Sequence, residues 1–221
     1  MKIFEKQGYH FVFLLVLIGG VYITAKDSVL SGSFWNLSTK TWLILAVLVP
    51  ILHQVFVVFC WRAELYYGWL TKTFGDKAFK IWAVGFMILF SARPITIIGL
   101  AISNSGTFIL SSWLRWSLSG VFLLLVIYLA YSVAKYFGIE RALGMDHFQP
   151  EKYRDLPFVK QGIYRWIPNS MYLVGFLFLW VPGLLLSSKA ALLAALFNHL
   201  YIWVHYYFTE YPDMLFIYQK K

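Results

Sequence analysis

The sequence predicts an all-α, polytopic membrane protein of about six transmembrane helices, ending in a helical hairpin and exposing one long polar loop on the cytoplasmic side. Three observations predict it. Sixty per cent of the residues are apolar and 13% charged, with a mean hydropathy of +0.67, far from the balance of a soluble domain. The apolar residues gather into six runs, at about 9–25, 41–61, 79–103, 113–136, 171–187 and 190–208. Each nears or exceeds the roughly 17–25 residues that carry a helix across hydrocarbon, where backbone amides find no water and must bond within the helix. The cations are also sided. With the amino terminus inside, only Lys26, Lys40 and Lys189 fall in outer loops, while the other loop and terminal cations face the cytosol, so both termini are expected there. The net charge of +9 is read as attraction to an anionic lipid surface rather than to nucleic acid, because the basic residues sit between apolar runs flanked by Trp and Tyr.

Taken in order, Lys2 and Lys6 precede the first run, which resembles a signal sequence without a convincing small-x-small cleavage site and reads as a retained anchor. Residues 62–80 form a polar connection with a helical pattern of its own. Arg93-Pro94 is expected to interrupt the third run. A guanidinium there costs at least about 2.5–3.5 kcal/mol, so Arg93 needs a partner, and the carbonyl freed by Pro94 is one candidate. Asn104-Ser105-Gly106 reads as a plain turn, and Arg115 as a side chain reaching for the far headgroups. His53 reads as a packed polar residue bonding a neighbouring helix. These four runs make an N-terminal region at 1–136. The second part, 137–221, holds the loop, the hairpin that turns at Ser187-Ser188, and the tail. Residues 137–170 concentrate polar groups, and their apolar content (Phe148, Tyr153, Leu156, Phe158, Val159) argues for order. The one cysteine, Cys60, excludes an internal disulfide and a Cys-rich metal site. His199 and His205, six apart and about 240° around a helix, do not share a metal.

The stretch from Gly162 to Tyr218 carries motifs. It contains Gly162-Ile163-Tyr164, then Asn169-Ser170-Met171-Tyr172 opening the hairpin, then Glu210-Tyr211-Pro212 and Ile217-Tyr218-Gln219-Lys220. This pattern resembles the intramembrane methyltransferases, the phosphatidylethanolamine N-methyltransferases and isoprenylcysteine carboxyl methyltransferases. Asn169-x-Met171-Tyr172 and the tail lie closer to the phospholipid branch, as does Arg62-x-Glu64 followed by Phe74-Gly75. Ser170 stands where that branch has proline, Pro168 at the first motif position, and Tyr211 in place of the second acidic residue of a Glu-Glu pair.

The resemblance implies S-adenosylmethionine as cofactor and a membrane lipid as methyl acceptor, preferably a phospholipid amine. It places Glu210 near the cofactor's ammonium or ribose, with Tyr211 beside it. Gly144 would allow close backbone approach, and Tyr164, Asn169, Met171 and Tyr172 would line the wall. An amine acceptor must lose a proton, and Glu140, Asp146, His147 or His205 are the candidates to take it. The 137–170 segment then becomes an active-site loop over a chamber open to cytosol and lipid. Two other enzyme readings stay open: a prenylcysteine carboxyl methyltransferase, and an NADPH-dependent sterol or enone reductase using Lys152, Arg154 and Lys160 for the 2′-phosphate. A non-catalytic membrane subunit is the third possibility.

Overall fold

The computed structural model describes residues 2–26 and 29–218; Gln219 and Lys220 of the tail motif lie outside them. Helix α1 (Gln7–Thr24) buries His10 and Leu14 fully, packs Leu17, Ile18 and Val21 against the core, and turns most of its other apolar side chains outward, as a helix bathed in lipid does. A two-stranded ribbon follows, β1 (Ser33–Phe34) and β2 (Leu37–Ser38), closed by Trp35 and Asn36 in the left-handed conformation typical of two-residue hairpin turns. Ser38 caps α2 (Thr39–Tyr67) by accepting from Thr41 N, and left-handed Gly68 ends it. The short α3 (Trp69–Phe74) leads into α4 (Ala78–Ser103).

Helices α2 and α4 form the most extensive pair, drawn together where Gly99 lies against the Trp42 ring with no room for a Cβ. Contrary to the sequence expectation, Arg93-Pro94 does not interrupt α4, which runs unbroken through it. A proline removes a single intrahelical bond, and the packing of α2 along the same face holds the helix together. Arg62 and Glu64 likewise belong to α2 and not to a connecting segment.

Helix α5 (Ser112–Ser132) continues through a wide π-helical turn, Val133–Phe137, to Gly138. The loop is ordered into three short helices, α6 (Ile139–Ala142), α7 (Met145–Phe148) and α8 (Pro150–Tyr153). The fifth apolar run is not one helix. It folds as α9 (Ser170–Leu173), a 3-10 turn (Leu177–Leu179) and α10 (Val181–Leu185), with Leu177, Leu179 and Trp180 bonding three residues back and Pro182 lacking an N–H. After the turn at Ser187-Ser188, α11 (Lys189–His205) buries Ala190, Ala191, Ala194 and Ala195, small residues that let it seat closely against α2 and α4. A second π-helical turn, Tyr206–Glu210, leads into α12 (Tyr211–Ile217), with Pro212 in its first turn.

Among the described residues, four helical stretches are long and apolar enough to cross a membrane: Lys2–Thr24, Thr39–Tyr67, Trp69–Ser103 and Ser112–Phe137. The six spans expected from the sequence thus have four counterparts of full length, followed by the broken 170–185 pass and the 17-residue α11. At one end of the bundle Asn104 is far more than a turn residue. It is buried, donates to the Val29 and Ser31 carbonyls at 2.8 and 3.0 Å, and accepts from Ser188 Oγ and Ala190 N. Arg115 bonds inward as well, its Nη1 donating to Leu185 O and Ser187 Oγ. At the other end Arg62 gathers the segment before α1 and the chain after α11.

Candidate active site

Arg62 is fully buried, and every nitrogen of its guanidinium is used. Nε lies 3.1 Å from both oxygens of Asp213, Nη1 donates to the Ile3 and Glu5 carbonyls, and Nη2 to those of Phe208 and Thr209. Pairing and complete bonding are what make a buried charge tolerable. The clamp fixes α12 against α2, and so fixes the π turn between α11 and α12.

The loop is fastened to the same tail. His147 stacks on Trp61, with ring centroids 4.2 Å apart, its Nδ1 is 2.9 Å from Asp146 Oδ1, and its Nε2 is 3.8 Å from Asp213 Oδ2. Gly144 is left-handed and presses on the Trp61 ring, where a side chain has no space, so its close approach is to this tryptophan. Burial alone would lower the His147 pKa, but Asp146 and then Asp213 outweigh it and raise it to about 9, so the imidazole carries its proton at neutral pH. Burial pushes Asp146 the other way, and His147 with Tyr218 and Arg141 overcomes it, holding the carboxyl below its ordinary value. Tyr218 donates to Asp146, and Arg141 Nε donates to Tyr218 at 3.0 Å with its guanidinium over the Phe137 ring.

Between this charged floor and the middle of the bundle lies a cavity of about 900 Å³, walled chiefly by aromatic and aliphatic side chains, a size suited to a cofactor and part of an acceptor. Of the residues singled out in the sequence, Gly144, Asp146, His147, Tyr164, Asn169, Met171, Tyr172, His205, Glu210 and Tyr211 all border it. Glu140 does not: it is exposed on α6, about 100° around the helix from the buried Arg141 that follows it. The 3-10 turn Gly162–Arg165 buries Tyr164 against Phe137, with its hydroxyl unbonded and its pKa pushed up by burial to about 12. Tyr172 comes from α9, its ring 4.7 Å from that of Tyr206.

Glu210 reaches the wall because the chain takes an extra residue in the turn Tyr206–Glu210, where Tyr211 N–H bonds back to Tyr206 O. Such wide turns recur at functional sites. Loss of water around the Glu210 carboxyl pushes its pKa up, the Tyr172 hydroxyl and His147 pull it back, and it settles at about 7. His205 borders the cavity with Nδ1 unbonded. Sequence reasoning missed Trp61, Arg141 and Asp213 as parts of the site. Arg141 and Asp213 carried a signal, each being a charged residue within two positions of a nominated one; Trp61, inside an apolar run, carried none.

No curated protein and no solved structure matches the chain. A family model described as phospholipid methyltransferase matches residues 114–221, the part that supplies α5, the loop, the broken pass, α11 and the tail, and with them every nominated residue on the cavity wall. Over that stretch, a little under half of the chain, the sequence is similar to the phospholipid methyltransferase family, as an intramembrane methyltransferase of that type would be.

Proposed function

We propose that the protein transfers a methyl group from S-adenosylmethionine to a lipid acceptor, preferably a phospholipid amine, from a site at the cytosolic face with both termini on that side. The reading rests on the meeting of Glu210 with Tyr164, Asn169 and Tyr172 around one cavity, although 38 or more residues separate the carboxylate from that cluster in sequence. A cationic cofactor fits this wall: a carboxylate poised between its two charge states faces the cavity, with the unbonded Tyr164 hydroxyl as a donor and aromatic rings as a slot.

Bound there, S-adenosylmethionine would supply a methyl group on a positively charged sulfur. Glu210 would hold the cofactor's ammonium or ribose, and Asn169 and Tyr172 would orient it. His147, bonded to Asp146 through Nδ1 and 3.8 Å from Asp213 through Nε2, is a tie between loop and tail, and Asp146 is occupied by His147 and Tyr218. The free Nδ1 of His205 is left to receive the acceptor's proton. The aromatic walls exclude water, which strengthens each of these contacts.

A sterol reductase would need cations at the site for the 2′-phosphate. Lys152, Arg154 and Lys160 do not border the cavity, and Arg154 is spent on Glu151 at 2.8 Å. Calorimetric titration of the detergent-purified protein should show S-adenosylhomocysteine binding and no response to NADPH; binding of NADPH alone would replace this reading with the reductase. Lipid profiles of cells with and without the protein should then show a species heavier by about 14 Da per added methyl.

A further inference from the structure

Two polar residues on the cavity wall, Arg93 and His53, precede the family-matched part. Arg93 sits inside α4, 1% exposed, and borders the cavity. Its Nε donates to His53 Nδ1 at 3.1 Å, and its guanidinium lies 5.4 Å from the centre of the Phe176 ring. Its Nη1 and Nη2 have no hydrogen-bond partner, and among the described residues no carboxylate pairs with it. His53 accepts through Nδ1, so its proton is on Nε2, which is also buried and unbonded. The pair therefore offers a planar fork and a neighbouring N–H with nothing to receive them.

The contrast with Arg62 is informative. That side chain is buried as deeply, yet all its donors are consumed by a carboxylate and four carbonyls. The same chain has the means to satisfy a buried guanidinium and leaves Arg93 half used beside a cavity. A fork with parallel donors matches two oxygens of a phosphate or carboxylate. Phe176 lies against the guanidinium, and Phe86 and Phe90 pack against His53, so the group that reaches the pair must arrive attached to something apolar.

We infer that the Arg93–His53 end of the cavity is an oxyanion site that holds the phosphodiester or carboxylate of the lipid acceptor, while the cofactor occupies the Glu210 end. This inference rests on the methyltransferase reading for the identity of the second ligand only. The oxyanion anchors the acceptor, its apolar chains lie along the phenylalanine wall, and its nucleophile is directed toward the loop end.

The test uses the full chain in nanodiscs of neutral glycolipid, with wild type, Arg93→Gln, Arg93→Lys and His53→Gln compared. Native mass spectrometry reads binding of phosphatidylethanolamine and of palmitate, and calorimetry reads S-adenosylhomocysteine. Arg93→Gln is expected to weaken one lipid by about tenfold or more, the loss of a charged hydrogen-bond donor. Arg93→Lys should restore part of it, and cofactor affinity should stay within about twofold of wild type, as for sites with separate partners. Loss of phosphatidylethanolamine alone identifies a phosphodiester, and loss of palmitate alone a carboxylate. Failure of the wild type to bind either lipid overturns the site, as does unchanged lipid affinity in Arg93→Gln, or loss of S-adenosylhomocysteine with lipid binding intact. If Arg93→Gln does not fold, Arg93→Lys and His53→Gln decide by the same readings. Lipid loss in a protein whose wild type ignores S-adenosylhomocysteine would sink the cofactor reading and leave the oxyanion site standing.

Discussion

The Tyr218 hydroxyl donates to Asp146 Oδ2 at 2.7 Å, joining the last described residue of the tail to the middle of the polar loop. Tail and loop therefore close the outer end of the cavity as one unit, and a fault in either should be felt by a ligand that touches neither. Tyr218→Phe removes this bond while keeping the ring under Arg141. Affinity for S-adenosylhomocysteine is expected to fall by about three- to tenfold, the worth of one hydrogen bond to a charged group, in calorimetric titration.

The His147 tie predicts a stability profile. Its folded pKa, about 9, lies above the ordinary 6.5, so its contribution is complete below about pH 6.5 and is lost as pH rises through 9. Asp146 is shifted the other way, and its contribution is lost on the acid side as its carboxyl takes up a proton. Melting temperature measured from pH 6 to pH 10 should decline at the alkaline end in wild type, and the decline should flatten in His147→Gln.

Glu210 predicts a binding profile instead. With a pKa of about 7, the carboxyl is ionised above neutrality and protonated below it, and only the ionised form attracts a cationic ammonium. S-Adenosylhomocysteine affinity should drop by up to about tenfold per pH unit below 7, the limit for one coupled proton. Glu210→Gln should bind weakly at every pH with no such slope, and Glu210→Ala should abolish binding while expression persists. A slope unchanged in Glu210→Gln would move the titrating group elsewhere.

The Arg62–Asp213 clamp predicts a large cost for removing one side. Asp213→Ala leaves a buried guanidinium without its counter-ion, and destabilisation of about 3–5 kcal/mol is expected in thermal unfolding. The double variant Arg62→Met, Asp213→Leu should recover much of that loss, because it removes the orphaned charge as well.

How legible this was in the sequence varies by residue. The helical class and the ordered loop followed from hydropathy and from the aromatic content of 137–170, since lipid leaves the backbone few options. The fifth run defeated the same reasoning: its composition is as apolar as its neighbours, and nothing in it announces that Leu177 and Leu179 bond three residues back. Pro94 failed in the opposite sense, because a lost bond inside a well-packed helix need not break it. Tyr164, Asn169, Tyr172 and Glu210 were found as members of motifs, whereas Glu140 was nominated for its chemistry alone and faces away. The Arg93–His53 contact joins, across two helices, residues 40 apart in sequence, and was out of reach of any local pattern.

The wide turn at Tyr206–Glu210 has a consequence for tolerance to change. Each residue of a helix advances the chain by about 100° around its axis, so trimming one residue from this turn would swing Glu210 by a quarter-circle or more. The carboxylate would then point into the neighbouring packing, although Glu210 itself and every other side chain would still be present. A single-codon deletion there should thus be far more damaging than most substitutions of the same residues, and the aim of the acidic group is a property of the backbone's winding count.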